Sequence, residues 1–156
     1  MLRKCLMDGF TLAQISTFAP IGWQGLTFRL GIALIIGTII GLERETKKKP
    51  AGLRTNILVC FASALLVLIP IEIGAAQQNL DILGRVISGI ISGVGFIGGG
   101  TILRQSEVKN LTSAATIWVS AALGIAVGCG LWQLGLAGAL ITWIILRVFH
   151  RWENYL

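Results

Sequence analysis

The stretch Gly93-Val94-Gly95-Phe96-Ile97-Gly98 matches the spacing G-x-G-x-x-G letter for letter. Where that spacing follows a strand and opens a helix, its glycines let backbone N–H groups approach a pyrophosphate. An acidic residue about 20 positions on then holds the ribose. Here the six residues lie inside a long apolar run, and nothing acidic stands at the required distance. The spacing alone does not make a nucleotide site. Cys5, Cys60 and Cys129 are odd in number and lack metal-ligand spacing. His150, the single histidine, follows an apolar run beside Arg151. No Ser/His/Asp or Cys/His arrangement is available, so no catalytic residue, metal site or cofactor is expected.

What remains is charge set in apolar sequence. Arg29 lies about six residues inside the first apolar run, Glu72 follows Pro70 at the end of the second, and Arg85 opens the third with Asp81 four residues before it. A charge in hydrocarbon is costly, so such residues face the interior and pair. Glu72 is the acidic residue at the right depth for Arg29, and an intramembrane ion pair between them is expected. The competing reading is that Arg29 snorkels to the outer headgroups.

These charges need elements to hold them. The chain of 156 residues is 54% apolar and 13% charged, with a mean hydropathy of +0.81. Soluble domains carry about a quarter charged residues, so most of this surface must face lipid. A cytosolic enzyme, a nucleic-acid-binding domain and a disordered tail are excluded. Crossing the hydrocarbon takes roughly 20 apolar residues as helix. Five stretches qualify, at Trp23–Leu42, Thr55–Ile73, Leu83–Leu103, Ser113–Cys129 and Leu131–Phe149. Phe10, Leu12, Ile15 and Phe18 precede them at near-helical spacing, as in a short interfacial helix. Arg3 and Lys4 resemble a signal n-region, but Asp8 interrupts the apolar run after them, so the N-terminus is read as retained.

Nine of the 13 basic residues fall on one side of these spans: Arg44, Lys47, Lys48, Lys49, Arg54, Arg104, Lys109, Arg147 and Arg151. The positive-inside rule makes that side cytoplasmic. The expected fold is all-α, a polytopic helical membrane protein of about five transmembrane helices, N-terminus out and C-terminus in. An interfacial segment (1–22) precedes a transmembrane domain (23–149) and a short cytoplasmic tail (150–156).

The glycines suit packing in lipid. Gly37/Gly41, Gly89/Gly93, Gly95/Gly99 and Gly124/Gly128 are small-xxx-small pairs that let helix backbones approach closely. The third span is richest in them and is expected to be the central helix. Gly98-Gly99-Gly100 reads equally as a broken helix lining a cavity or as a loosely packed helix end.

At the cytoplasmic ends, Glu43, Arg44, Arg54, Thr55, Asn56, Arg104, Asn110, Thr112 and Ser113 gather on one face. Singly they cap helices or anchor to headgroups; together they exceed what anchoring requires. Here the sequence resembles the MgtC/SapB family of bacterial inner-membrane proteins. The resemblance rests on Gly41-Leu42-Glu43-Arg44 with Ala51-Gly52-Leu53-Arg54-Thr55, on Ser92 to Gly100 with Arg104, and on Leu111 to Trp118. It covers roughly residues 23–149. The family's polar motif residues fall on Glu43, Arg44, Arg54, Thr55, Arg104 and Thr112. Gly99 stands where the family usually has Ala, Asn110 where it has Gly, and Ser113 where Thr is common. Longer members carry a soluble C-terminal domain that this chain, ending at Leu156, is expected to lack.

The resemblance implies a non-enzymatic plasma-membrane protein linked to growth at low magnesium and, in pathogens, to survival in macrophages. It also implies action on membrane potential or on a membrane ATPase. The expected partners are the lipid bilayer, a membrane ATPase or other membrane protein, and a second copy in a homo-oligomer; nucleic acid is not one. The alternative is an ion or magnesium transporter. Magnesium favours carboxylate oxygens, and only Glu43 and Glu72 lie near membrane depth, each with a basic residue close in sequence or depth.

Overall fold

The computed structural model describes residues 21–104, 107–108 and 110–153. Two long helices open it, α1 (Gly22–Thr46) and α2 (Leu53–Glu72), followed by one turn of helix, α3 (Ala75–Gln78), and by α4 (Leu80–Ile102). A two-residue antiparallel pair comes next, β1 (Leu103–Arg104) with β2 (Glu107–Val108), in the register Leu103 to Val108 and Arg104 to Glu107. The last helices are α5 (Leu111–Gly128) and α6 (Trp132–Glu153). α1, α2, α4 and α5 are each long and apolar enough to cross a membrane, and α6 carries a shorter apolar stretch, Trp132–Val148. The chain is a polytopic helical membrane protein.

The expected interfacial helix from Phe10 to Phe18 lies outside the described residues. Two boundaries differ from those read in the sequence. α1 runs past Leu42 to Thr46, so Glu43 and Arg44 are helical residues. α6 continues to Glu153, so the segment from His150 begins as helix.

The core is organised around α2 and α5. One apolar cluster joins Ile36 and Ile40 of α1 to Cys60 and Ala64 of α2 and Val127 of α5. A second joins Val67 and Ile71 of α2 to Ile90 and Val94 of α4 and Ile117 and Ala121 of α5. Glycines set the spacing on both sides of α2. A Cβ on Gly37 or Gly41 would lie 2.7 Å from the Cα of Ile57 or Leu53, and one on Gly124 would overlap the Cys60 carbonyl. Backbones this close gain dispersion contacts that bulkier residues would prevent.

The central helix is α5, not α4. The apolar window of α5 is 56% buried inside the protein and that of α4 only 17%. A Cβ on Gly89, Gly93, Gly95 or Gly99 would meet nothing within 4 Å. Leu83, Ile90, Val94 and Gly98 turn inward. Gly89, Gly93 and Gly95 are left outward beside the exposed Phe96 and Ile97.

Candidate functional site

The last turn of α1 buries two adjacent charges, Glu43 and Arg44, which are 7% and 3% exposed. Burying charge is unfavourable unless it is matched, and each has a match on this end of the bundle. Arg44 Nη2 donates to Ser113 Oγ in the first turn of α5 at 3.0 Å. Glu43 Oε1 lies 2.5 Å from Lys47 Nζ, one helical turn on. Lys47 Nζ also donates to the Leu146 carbonyl of α6 at 3.1 Å, tying the ends of α1 and α6. The Glu43–Lys47 contact is an ion pair without hydrogen-bond geometry, and Arg44 Nε makes no hydrogen bond.

A neutral network lies deeper. Asn56, fully buried, donates through Nδ2 to the carbonyls of Ala51 and Gly52 at 3.0 and 2.9 Å. Its Oδ1 accepts from Ser120 Oγ at 2.8 Å. Thr116 Oγ1 donates to the Ser113 carbonyl at 2.8 Å. A single face of α5 therefore presents Ser113, Thr116 and Ser120 to α1 and α2. The loop between α1 and α2 is fixed as well. Glu45 Oε2 accepts the Leu53 N–H at 2.9 Å, capping α2, and occupies the space a side chain on Gly52 would need.

Of the polar ring expected from sequence, the structure brings only part together. Glu43 and Arg44 turn inward. Arg54 and Thr112 are exposed and Thr55 is half-buried. Arg104 lies in β1, opposite Glu107. Asn110 sits at φ +67°, a left-handed conformation natural for glycine and tolerated by asparagine. Lys47, Thr116 and Ser120 were not among the expected site residues. The i, i+3, i+7 spacing of Ser113, Thr116 and Ser120 was a usable signal, since a polar stripe in an apolar helix marks a buried face.

At the opposite end, Arg29 and Glu72 do not form the expected ion pair; each takes a helix terminus instead. Arg29 Nη1 donates to the Gly128 carbonyl at 2.8 Å, at the C-terminal end of α5. Glu72 Oε1 accepts the Ile21 N–H at 3.0 Å, at the start of α1. These are the ends whose backbone groups lack intrahelical partners and whose dipoles favour a cation and an anion respectively. Gly130, at φ +88° in the turn to α6, leaves the guanidinium room, since a Cβ there would lie 3.0 Å from Arg29 Nη2.

The glycine-rich stretch of α4 is neither a loop nor a break. Gly93 to Gly98 are helical, the residues before them from Leu80 are helix and not strand, and the helix continues through Gly100 to Ile102. Thr101 Oγ1 donates to the Gly98 carbonyl at 2.7 Å within it. Among the described residues, no three His, Cys, Asp or Glu side chains converge.

Residues 30–155 match the MgtC family. The chain belongs to that family. It is 44% identical over 149 residues to protein SrpB of Synechococcus elongatus, covering 88% of this chain and 82% of that protein. It is 41% identical over 128 residues to the putative magnesium transporter YhiD of Escherichia coli, covering 79% of this chain and 60% of YhiD. Against protein MgtC of Salmonella typhimurium it is 38% identical over 110 residues, 70% of this chain and 46% of MgtC. The chain thus spans most of SrpB but only about half to three-fifths of the other two. No solved structure matches it. MgtC-family membership together with four helices of spanning length makes this a multi-pass protein of the bacterial inner membrane. The MgtC-family match takes in Glu43, Arg44, Asn56 and Ser113 and begins one residue after Arg29.

Proposed function

We propose that the protein is a non-enzymatic, magnesium-linked membrane regulator that supports growth at low magnesium through helix contacts with a membrane ATPase or a related membrane protein. In this reading the end of the bundle carrying Glu43, Arg44 and Lys47 faces the cytoplasm, with the N-terminus out and the C-terminus in. Glu43, Arg44, Arg54, Thr55, Arg104 and Thr112 form its functional surface, with the first two fixing the shape that the others present.

The observation that carries this reading is the engagement of the carboxylates near membrane depth. Glu43 is held by Lys47 at 2.5 Å and Glu72 accepts a backbone N–H at 3.0 Å. A magnesium ion would have to displace an ammonium from one and a helix end from the other, and it prefers several oxygen ligands at once. The name of YhiD favours the second reading, magnesium transport.

Cells lacking the gene, grown at low magnesium, separate the two. For a regulator, the membrane potential shifts on deletion, and the chain restores it without changing the rate of magnesium uptake. Restoration that tracks magnesium uptake would overturn the regulator reading.

A further inference from the structure

Where the ends of α1 and α6 meet, the cations outnumber the acids that answer them. Lys47 Nζ lies against Glu43 Oε1 and donates to the Leu146 carbonyl of α6 at 3.1 Å. These two contacts leave part of the ammonium open, since the Lys47 side chain is 22% exposed. The residue after Leu146 is Arg147, which is exposed, its guanidinium carbon 5.0 Å from the centre of the Trp143 ring one turn back. Lys48 and Lys49 follow Lys47 and are exposed as well. Among the described residues Arg147, Lys48 and Lys49 join no ion pair. The acids of this segment are already engaged, Glu43 by Lys47 and Glu45 by the Leu53 N–H. Arg44, bonded to neutral Ser113, adds one more cation beside them. Trp143, Leu146 and Arg147 fall within the apolar stretch Trp132–Val148, and Leu42, Ile145 and Val148 around them are exposed. The surplus positive charge therefore meets lipid at the hydrocarbon edge, where long basic side chains reach toward headgroups.

We propose that the junction of α1 and α6 holds the phosphate of one anionic phospholipid, with Arg147 donating its N–H fork and Lys47 its ammonium. Charge complementarity selects this occupant, and basic pockets between transmembrane helices bind such headgroups. A guanidinium matches two phosphate oxygens at once, and one already resting on an aromatic ring loses less freedom on binding. A choline headgroup brings its own cation to a site that has too many. Phosphatidylglycerol brings none and is preferred. Free phosphate meets the same donors but leaves Leu42, Ile145 and Val148 without acyl chains. The bound lipid would join α1 to α6 beside the Lys47–Leu146 bond. The site depends on the depth of these residues, so it stands for either orientation of the chain, and whether the protein regulates or transports.

Native mass spectrometry of the full chain, purified in detergent and supplied with equal amounts of phosphatidylglycerol and phosphatidylcholine, tests it. In a micelle the long-range attraction of a charged bilayer is gone, so only lipid held by direct contacts is retained. The chain should keep one phosphatidylglycerol in clear preference to phosphatidylcholine. Arg147→Gln should lower that retention by about tenfold, the weight of a hydrogen bond to a charged group. Arg54→Gln, which removes an exposed cation of α2 at the same end, should leave it unchanged. Thermal unfolding in detergent supplies the second arm. Phosphatidylglycerol should raise the midpoint of the unsubstituted chain by binding linkage, and inorganic phosphate alone should not. Equal retention of the two lipids would overturn the inference, as would equal losses in Arg147→Gln and Arg54→Gln. Stabilisation by inorganic phosphate as large as that by the lipid would make this a soluble-anion site and overturn it too.

Discussion

Arg29 holds the C-terminal end of α5 through a 2.8 Å hydrogen bond from Nη1 to the carbonyl of Gly128, 99 residues away. The bond ties α1 to α5 at one end of the bundle, as Arg44 and Ser113 do at the other. The two arginines lie near opposite ends of α1, so each fixes one end of the α1–α5 contact. The geometry is that of two clamps on one helix pair.

Arg29→Ala should cost roughly 1.5–3 kcal/mol, the range for a hydrogen bond to a charged group. Glu72→Ala should be milder, since it frees one backbone N–H at the start of α1. A double-mutant cycle in detergent should give a coupling below about 0.5 kcal/mol, as for residues that do not touch. A coupling of several kcal/mol would show that the two charges meet directly.

Asn56 and Ser120 are both fully buried, so breaking their bond strands an acceptor. Ser120→Ala should cost about 1–3 kcal/mol through the unsatisfied Oδ1 of Asn56. Asn56→Leu should cost more, because it also removes the side-chain donor to the carbonyls of Ala51 and Gly52 and forces bulk into a closed site. Thermal unfolding in detergent ranks the two variants; equal stability to the unsubstituted chain would place the network outside the core.

Glycine substitutions should separate the helices. Gly124→Ala should already lower the yield of folded protein, because a Cβ there overlaps the Cys60 carbonyl. Gly93→Leu should leave the folded monomer in detergent unaffected, since nothing lies within 4 Å of that position. The reverse ranking, scored by size-exclusion recovery, would make α4 the packing centre after all.

Much of the fold was legible in the sequence because a membrane span is a statement about length and apolarity alone. The spans anticipated at Thr55–Ile73 and Ser113–Cys129 each fall within two residues of α2 and α5. What was not legible was which face of a helix turns inward. Glycine spacing marks a smooth face on Gly93 and on Gly124 alike, but only the position of large side chains on neighbouring helices decides which is covered. Arg29 shows a second limit. Charge complementarity in a sequence pairs side chain with side chain, whereas its partner here is a backbone carbonyl, which every residue has and no residue type reveals. Glu43 and Arg44 were legible as polar and near the cytoplasmic end. Their burial followed from the extra turn of α1, which apolar content alone did not extend past Leu42.

The loop between α1 and α2 should be cytoplasmic. Lys49→Cys, exposed in the loop, should resist an impermeant thiol reagent in intact cells and react once they are permeabilised. Labelling in intact cells would invert the topology and place Glu43 and Arg44 at the outer surface.

Magnesium flux through the purified full chain reconstituted in liposomes separates regulator from transporter most directly. With a magnesium-sensitive dye inside and an imposed potential, the rate should equal that of protein-free liposomes, and Glu43→Gln should change nothing. A magnesium flux well above the protein-free rate that is lost in Glu43→Gln would contradict the regulator account and make Glu43 part of an ion path.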